Sequence, residues 1–351
     1  SARIVCRRRM SWAAAIARRA GSCARKGGRA VNLIEAVHIT KQFVTGRDWL
    51  GRPNKVVTAV RDVSLAIRPG ETVGLVGESG CGKSTFARTV LGLYEKTGGQ
   101  VLYKGQDTAE ADAAKAYRRC VQMIFQDPYS SLDPRMTVGD IISEPLRNYG
   151  LCPTASERRK TVEALLEMVD LRAEAAQRYP HEFSGGQRQR VGIARALALK
   201  PECVFCDEPI SALDVSVQVQ IVNMLKRLQQ ELGLAYLFIS HDLAMVHHVS
   251  RRIGVMYLGR LVELGPGGDV FHRPLHPYTK LLISAVPRPD PGQKRRVVVE
   301  GEIPGPFNVP SGCVFHPRCP YASERCRREE PLWRKVRPER YVACHAVAEG
   351  L

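Results

Sequence analysis

No stretch of this 351-residue chain approaches the roughly 18 consecutive apolar residues that a membrane helix needs. Any work at a membrane therefore requires docking onto a partner that spans it. Residues 1–30 hold no acidic residue against nine Arg or Lys, and no methionine precedes Met10. Their apolar patch, Trp12 to Ala17, is too short for a secretion signal. The segment reads as a basic, disordered leader ahead of a domain starting near Val31, with a targeting peptide as the other reading. It carries about half of the net charge of +17, which removes nucleic acid as the expected partner of the rest. No internal repeat is evident.

What is present is ordinary for a globular protein: 44% hydrophobic and 25% charged residues, with length for one large domain and a smaller one. Eleven cysteines do not make a disulfide scaffold in a chain this large and core-rich. Cys203 and Cys206 sit in an apolar run and read as small buried hydrophobes. The compartment implied is reducing and cytoplasmic.

Apolar runs predict strands over 56–67 and 72–76, a strand pair near 100–104 and 121–125, and buried strands over 234–240 and 252–258. A helix is expected from Gly82 to about Leu91. Residues 127–135 are dense in turn formers and read as a loop. The stretch 137–180 reads as helical: Thr154 and Glu157 form a capping box, and Val162, Leu165, Leu166 and Val169 share one stripe. Ile221, Leu225, Leu228 and Leu232 mark a further helix stopped by Gly233. Alternating strands and helices argue an α/β fold with a largely parallel sheet and an inserted helical subdomain. Beyond about residue 270 prolines multiply and periodicity fades, so a boundary is placed there.

Residues 77–85, GESGCGKST, lie between a predicted strand and a predicted helix and match Gly-x4-Gly-Lys-Ser. Gly77, Gly80 and Gly82 let backbone N–H groups turn toward phosphate oxygens, where the dipole of the following helix adds positive potential. Lys83 is expected on the β and γ phosphates of ATP and Ser84 on magnesium, with Ser79, Cys81 and Thr85 completing the set. The apolar run CVFCDE delivers Asp207 to the magnesium shell and Glu208 beside it as general base for the attacking water. Without the phosphate loop, that would be an ordinary acidic strand end. Gln126, ending VQMIF, can touch magnesium and water. His241 follows the strand LAYLFIS and is expected to hydrogen-bond a γ phosphate, a structural histidine being the alternative. FSGGQ at 183–187 sets Ser184 as an N-cap with Gly185, Gly186 and Gln187 after it, a second anion site. Lys83 already serves the one γ phosphate, so this second site serves the ATP of another subunit, and dimerisation is implied.

These residues, with SALD at 211–214 and ISHD at 239–242, resemble ABC transporter nucleotide-binding subunits over residues 32–351. QDPYSSLDPRMTVGDIISEPL, YPHEFSGGQRQR, DEPISALDVSVQVQI, HPYTKLL and PSGCVFHPRCP are similar to the oligopeptide/dipeptide importer group. The resemblance implies an ATP-hydrolysing subunit powering a membrane importer of di- or oligopeptides. Its fold would be a RecA-like core with an antiparallel β subdomain over 31–270, a helical subdomain over about 127–195 bearing the signature, and a C-terminal extension over 271–351. An aromatic side chain would stack on adenine: Phe43 is the best match and Trp49 the weaker one, and a core role in an edge strand is the alternative for Phe43. Asp214 would stand at the subunit interface, and the loop after Gln126 would receive a permease helix. Implied partners are a second ATPase subunit (a homologue, giving a heterodimer), two permease subunits and an extracytoplasmic substrate-binding protein, at the cytoplasmic face of the inner membrane. The signature opens with Phe183 where Leu is commoner, a swap of bulky apolar residues with no expected loss.

Cys313, Cys319, Cys326 and Cys344 are too widely spaced for a simple zinc finger. Some members of the resembled group carry a four-iron four-sulfur cluster here, and four thiolates suit one. Zinc, or unliganded buried thiols, are the alternatives. The role expected is structural or redox-sensing, because the cysteines lie far from the phosphate loop in sequence. A soluble ABC-type ATPase of DNA repair or translation is the competing class. Against it stand the gap of only about 100 residues between loop and signature and the single cassette. Importer subunits for nickel or glutathione remain open as substrate variants.

Overall fold

The computed structural model describes residues 32–47, 53–286, 304–305 and 307–348; the basic leader 1–30 and Trp49 lie outside the described residues. The chain divides into two compact units. Among the described residues, one comprises 32–34, Ile67–Glu71 and Tyr103–Leu237; the other comprises Glu35–Ala66, Thr72–Leu102 and those from Phe238 on.

In the second unit, β1 (Ile34–Arg47), β2 (Pro53–Ile67) and β4 (Gly98–Tyr103) neighbour one another in the order β2-β1-β4. A separate sheet holds β3 (Thr72–Val76), β9 (Arg252–Tyr257) and β10 (Arg260–Pro266). The run TVGLV is buried at all five positions, as a strand covered on both faces should be. It pairs parallel with β9, Val73 facing Arg252 and Val76 facing Val255. β9 turns back antiparallel into β10.

The C-terminal residues extend that sheet. β12 (Arg340–Val342) pairs antiparallel with β10, Glu263 facing Val342, and β11 (Arg334–Arg337) pairs with β12. HPYTKLL contributes the helix Pro277–Ser284. The fading periodicity after residue 270 thus hides real elements. β11 is exposed at every position, and each of these strands is too short to display an alternation. Glu263, with no exposed surface, accepts N–H bonds from Leu275 and His276 at 3.0 and 2.9 Å and a charged bond from Arg340 at 2.5 Å.

In the first unit, β6 (Val121–Ile124) and β7 (Cys203–Asp207) run parallel, Val121 facing Cys203 and Ile124 facing Cys206. β5 (Gln106–Asp107) is a strand of only two residues, and β8 (Ala235–Ser240) begins here. The strands expected near 100–104 and 121–125 are not partners, since β4 lies beside β1 and β6 beside β7.

The stretch 137–180 forms the helices Val138–Asn148 and Ala155–Met168 followed by two short 3-10 turns. The first helix stops at Gly150, whose φ of 62° lets the Leu151 N–H donate to Leu146 O at 2.8 Å and the Gly150 N–H to Arg147 O at 3.0 Å, and the Thr154–Glu157 box starts the second. Thr154 Oγ1 accepts the Glu157 N–H at 3.2 Å and Glu157 Oε2 accepts the Thr154 N–H at 3.1 Å. Val162, Leu165 and Leu166 are buried, each stabilising by about 1.5–3 kcal/mol. The helix Val215–Leu232 buries Ile221, Leu225, Leu228 and Leu232 and stops at Gly233, whose φ of 67° is the left-handed form expected of a C-terminal glycine.

Candidate functional site

The loop 77–82 leaves β3 and enters the helix Lys83–Val90. Its glycines are required by what surrounds them. A Cβ on Gly82, whose φ is +102°, would meet the Ala59 carbonyl oxygen at 2.3 Å; one on Gly77 would meet that of Met256 at 2.2 Å. Ser79 and Gly80 are exposed and Cys81 is buried, its thiol pushed up by that burial. Lys83 is only 4% exposed. Its Nζ donates to the carbonyls of Gly77 and Glu78 at 2.8 and 3.0 Å, and Cys81 Sγ stands at 3.8 Å. A buried ammonium solvated by neutral carbonyls favours an anion beside it, because no water is there to screen the pair. Ser84 and Thr85 are half-buried in the first helical turn, where Thr85 O accepts the Thr89 hydroxyl at 2.7 Å.

Phe43, half-buried on β1, meets Tyr94 edge-on at 5.5 Å, with Lys41 Nζ 4.8 Å from its ring centre. It is not sealed in the core. His241 is exposed, just beyond β8, and Asp242 caps the next helix by accepting the N–H groups of Ala244 and Met245 at 2.9 and 3.1 Å.

In the other unit, the wholly buried run CVFCD ends at Asp207, which has no exposed surface. Glu208 follows with φ +44°, a left-handed backbone uncommon for a glutamate and characteristic of constrained functional positions. Gln126, exposed beyond β6, donates from Nε2 to Glu208 Oε2 at 3.0 Å. Two side chains 82 positions apart are thereby brought together, and the amide fixes the carboxylate's orientation.

Ser184 caps the helix Gly185–Leu197. Its Oγ accepts the Gln187 N–H at 3.4 Å, and Gln187 Oε1 accepts the Ser184 N–H at 3.0 Å. Those two donors are satisfied internally, which leaves the N–H groups of Gly185 and Gly186 at the helix end. Gly186 has a packing reason too, since a Cβ there would fall 2.5 Å from Val217. Phe183 is buried with the Arg178 guanidinium 4.7 Å over its ring, so the aromatic fits where Leu was expected. Asp214 is exposed at the start of the helix Val215–Leu232, beside Val215 and Val219, both exposed.

Of the four C-terminal cysteines, Cys313 and Cys326 are buried and Cys319 and Cys344 half-buried, all with free thiols. Burial pushes the Cys313 thiol up to about 11, with smaller contributions from the neighbouring Cys326, Cys344 and Cys319. Burial also raises Cys319 and Cys344. Yet among the described residues no three His, Cys, Asp or Glu side chains are set to hold a metal ion. The geometry gives no support to the four-iron four-sulfur cluster or to zinc.

The sequence reading missed Arg318. Its guanidinium grips the Glu78 carboxylate inside the phosphate loop, with Nη1 to Oε2 at 2.9 Å and Nη2 to Oε1 at 3.1 Å. The extension is far from that loop in sequence but touches it in the fold. The one signal available was position, Arg318 lying within the same HPRCP run as Cys319.

Comparison with known proteins follows the same lines. The ABC transporter family model matches residues 60–211, and that of the oligopeptide/dipeptide transporter C-terminal region matches 262–326. A putative oligopeptide transport ATP-binding protein of Bacillus subtilis (strain 168) is 52% identical over 322 residues, spanning 90% of this chain and 96% of the relative. The oligopeptide transport ATP-binding protein OppF of Salmonella typhimurium is 53% identical over 292 residues, 82% of this chain and 87% of the relative. Among solved structures, a dimeric ATP-binding cassette in a post-hydrolysis state with ADP and Pi superposes with a TM-score of 0.59 at 30% identity, covering 66% of this chain and 98% of the other.

Proposed function

This chain belongs to the ABC transporter family, and from that premise we propose that it binds and hydrolyses ATP to drive a membrane importer of di- or oligopeptides. The observation that carries the catalytic half is Glu208, held in a left-handed backbone after the buried β7 with its carboxylate oriented by Gln126. A carboxylate so fixed takes a proton from water as it attacks the γ phosphate. Lys83, desolvated and held by neutral carbonyls, binds the β and γ phosphates, and the N–H groups of Gly80 to Thr85 add to that cradle. Ser84, Asp207 and Gln126 offer the hard oxygen donors that magnesium prefers, and the ion would neutralise charge on the phosphates. His241 hydrogen-bonds the γ phosphate, and Phe43 stacks on adenine.

Ser184, Gly185, Gly186 and Gln187 act on the ATP of a second subunit, a homologue in a heterodimer. Exposed apolar side chains beside Asp214, Val215 at 76% and Val219 at 48%, support an interface there. Tyr129, 62% exposed with the Arg188 guanidinium 4.0 Å over its ring, supports the loop after Gln126 as the surface for a helix of one of two permease subunits. With a substrate-binding protein outside, the complex would hold this subunit at the cytoplasmic face of the membrane. The ATPase domain would occupy 31–270, with its helical subdomain over about 127–195, and the C-terminal extension 271–351. A four-iron four-sulfur cluster at Cys313, Cys319, Cys326 and Cys344, with zinc as the alternative, rests on the count of four thiols; iron and zinc analysis after anaerobic purification tests it.

Glu208→Gln is expected to keep ATP affinity while turnover falls by a factor on the order of a thousand, and to trap an ATP-bound dimer. Single-turnover hydrolysis at the parental rate would remove Glu208 from the role of base. For the cargo, cells carrying Lys83→Ala are expected to lose uptake of labelled di- and tripeptides. Unchanged peptide uptake with lost nickel or glutathione uptake would reassign the substrate.

A further inference from the structure

The contact between extension and phosphate loop is a built one. Arg318 is 8% exposed and Glu78 21%, and the pair is bidentate, the strongest geometry available to a guanidinium and a carboxylate. Arg318 Nη1 also reaches Tyr257 Oη at 3.5 Å. The Glu78 N–H donates to Tyr278 Oη at 2.8 Å. Behind them Phe315, 1% exposed, packs against Tyr257 at 5.3 Å and Tyr278 at 5.5 Å between ring centres. Glu78 is thus held by its side chain and its N–H, while its carbonyl holds the ammonium of Lys83 at 3.0 Å.

An acidic residue inside a phosphate-binding loop needs an explanation, because its charge opposes the triphosphate that the loop must accept. We propose that Arg318 is a positioning residue for ATP binding. It neutralises Glu78 and fixes its backbone, so that the carbonyl of Glu78 keeps Lys83 in place for the phosphates. The C-terminal extension is then part of the nucleotide-binding apparatus, reaching it through one ion pair 240 residues apart in sequence. The inference rests on the ATP-binding reading above. It differs from a plain structural tie in one consequence: the damage done by losing Arg318 comes from an unpaired Glu78 and is undone by removing that charge.

The test uses the full-length chain, with magnesium-ATP affinity by titration calorimetry, ATPase KM and kcat, and thermal melting as a check of folding. Arg318→Ala is expected to raise Kd and KM for ATP by roughly tenfold to a hundredfold, with kcat at saturation changing far less. Arg318→Lys, keeping the charge but losing the fork, should fall between. Adding Glu78→Gln to either variant should recover most of the affinity. If Arg318→Ala does not fold, the Lys variant carries the same test. ATP affinity unchanged in the folded variants, or a loss that Glu78→Gln does not recover, would overturn the proposal alone. A wild-type chain that binds no ATP would overturn the ATP reading and this inference with it.

Discussion

Gly82 constrains the phosphate loop through both its backbone and its surroundings. Its φ of +102° and the Ala59 carbonyl, 2.3 Å from where a Cβ would stand, act together. Strain of that backbone costs about 1–3 kcal/mol for a non-glycine residue, and the contact with a main-chain oxygen cannot be relieved by a rotamer change. Gly82→Ala is therefore expected to lose at least about 2 kcal/mol of stability, measured by urea denaturation, and to bind ATP weakly in whatever fraction folds. Gly80 has φ +77° but nothing within 4 Å, so alanine there should cost only backbone strain. Comparable losses at both positions would count against the packing argument. The motif showed glycines were needed; it did not show that the wall against Gly82 is β2.

At the scale of elements, the helix Pro277–Ser284 carries a pH dependence. His276 is buried at its N-cap, Nδ1 accepting the Tyr278 N–H at 3.1 Å. Burial, with the Lys280 charge adding to it, pushes this histidine from 6.5 down to about 3. The unfolded chain therefore binds more protons than the folded one between those values, so stability is full above pH 6.5 and is lost as pH falls below it. The slope for one such group is about 1.4 kcal/mol per pH unit. Asparagine keeps the cap acceptor and does not titrate. The free-energy gap between wild type and His276→Asn is expected to shift by roughly 1.4 kcal/mol per unit from pH 6 to 5, in favour of the variant. A gap independent of pH would mean that His276 is protonated in the fold.

Across the whole molecule, the edge of the β3-containing sheet depends on one buried ion pair. Arg340, 3% exposed, meets Glu263, and Glu263 also accepts two backbone N–H groups. Removing one partner leaves an uncompensated buried charge, which costs about 3–5 kcal/mol. Arg340→Ala is expected to lose that much and to open residues 334–348 to protease. Glu263→Gln in the same chain should recover part of the loss, because the amide still accepts an N–H without a charge to bury. Proteolysis rates with denaturation midpoints measure both, and an unaltered cleavage pattern would show that β12 is held by other contacts.

Local chemistry made most of the elements legible. The continuous apolar runs of β3 and β7, the capping box at Thr154, the stop at Gly233 and the strand–glycine–helix pattern at 72–90 are decided within a few residues of themselves. β11, β12 and the partners of β4 and β6 were not legible, because pairing depends on where distant chain returns and not on periodicity in a short segment. The polar contacts follow the same division. The Thr154–Glu157 and Ser184–Gln187 boxes close over three residues and can be read from the sequence. Gln126 with Glu208, Arg340 with Glu263 and Arg318 with Glu78 join positions 82, 77 and 240 apart. A buried charge must find its partner wherever the fold brings one, and only the packed structure decides which residue that is.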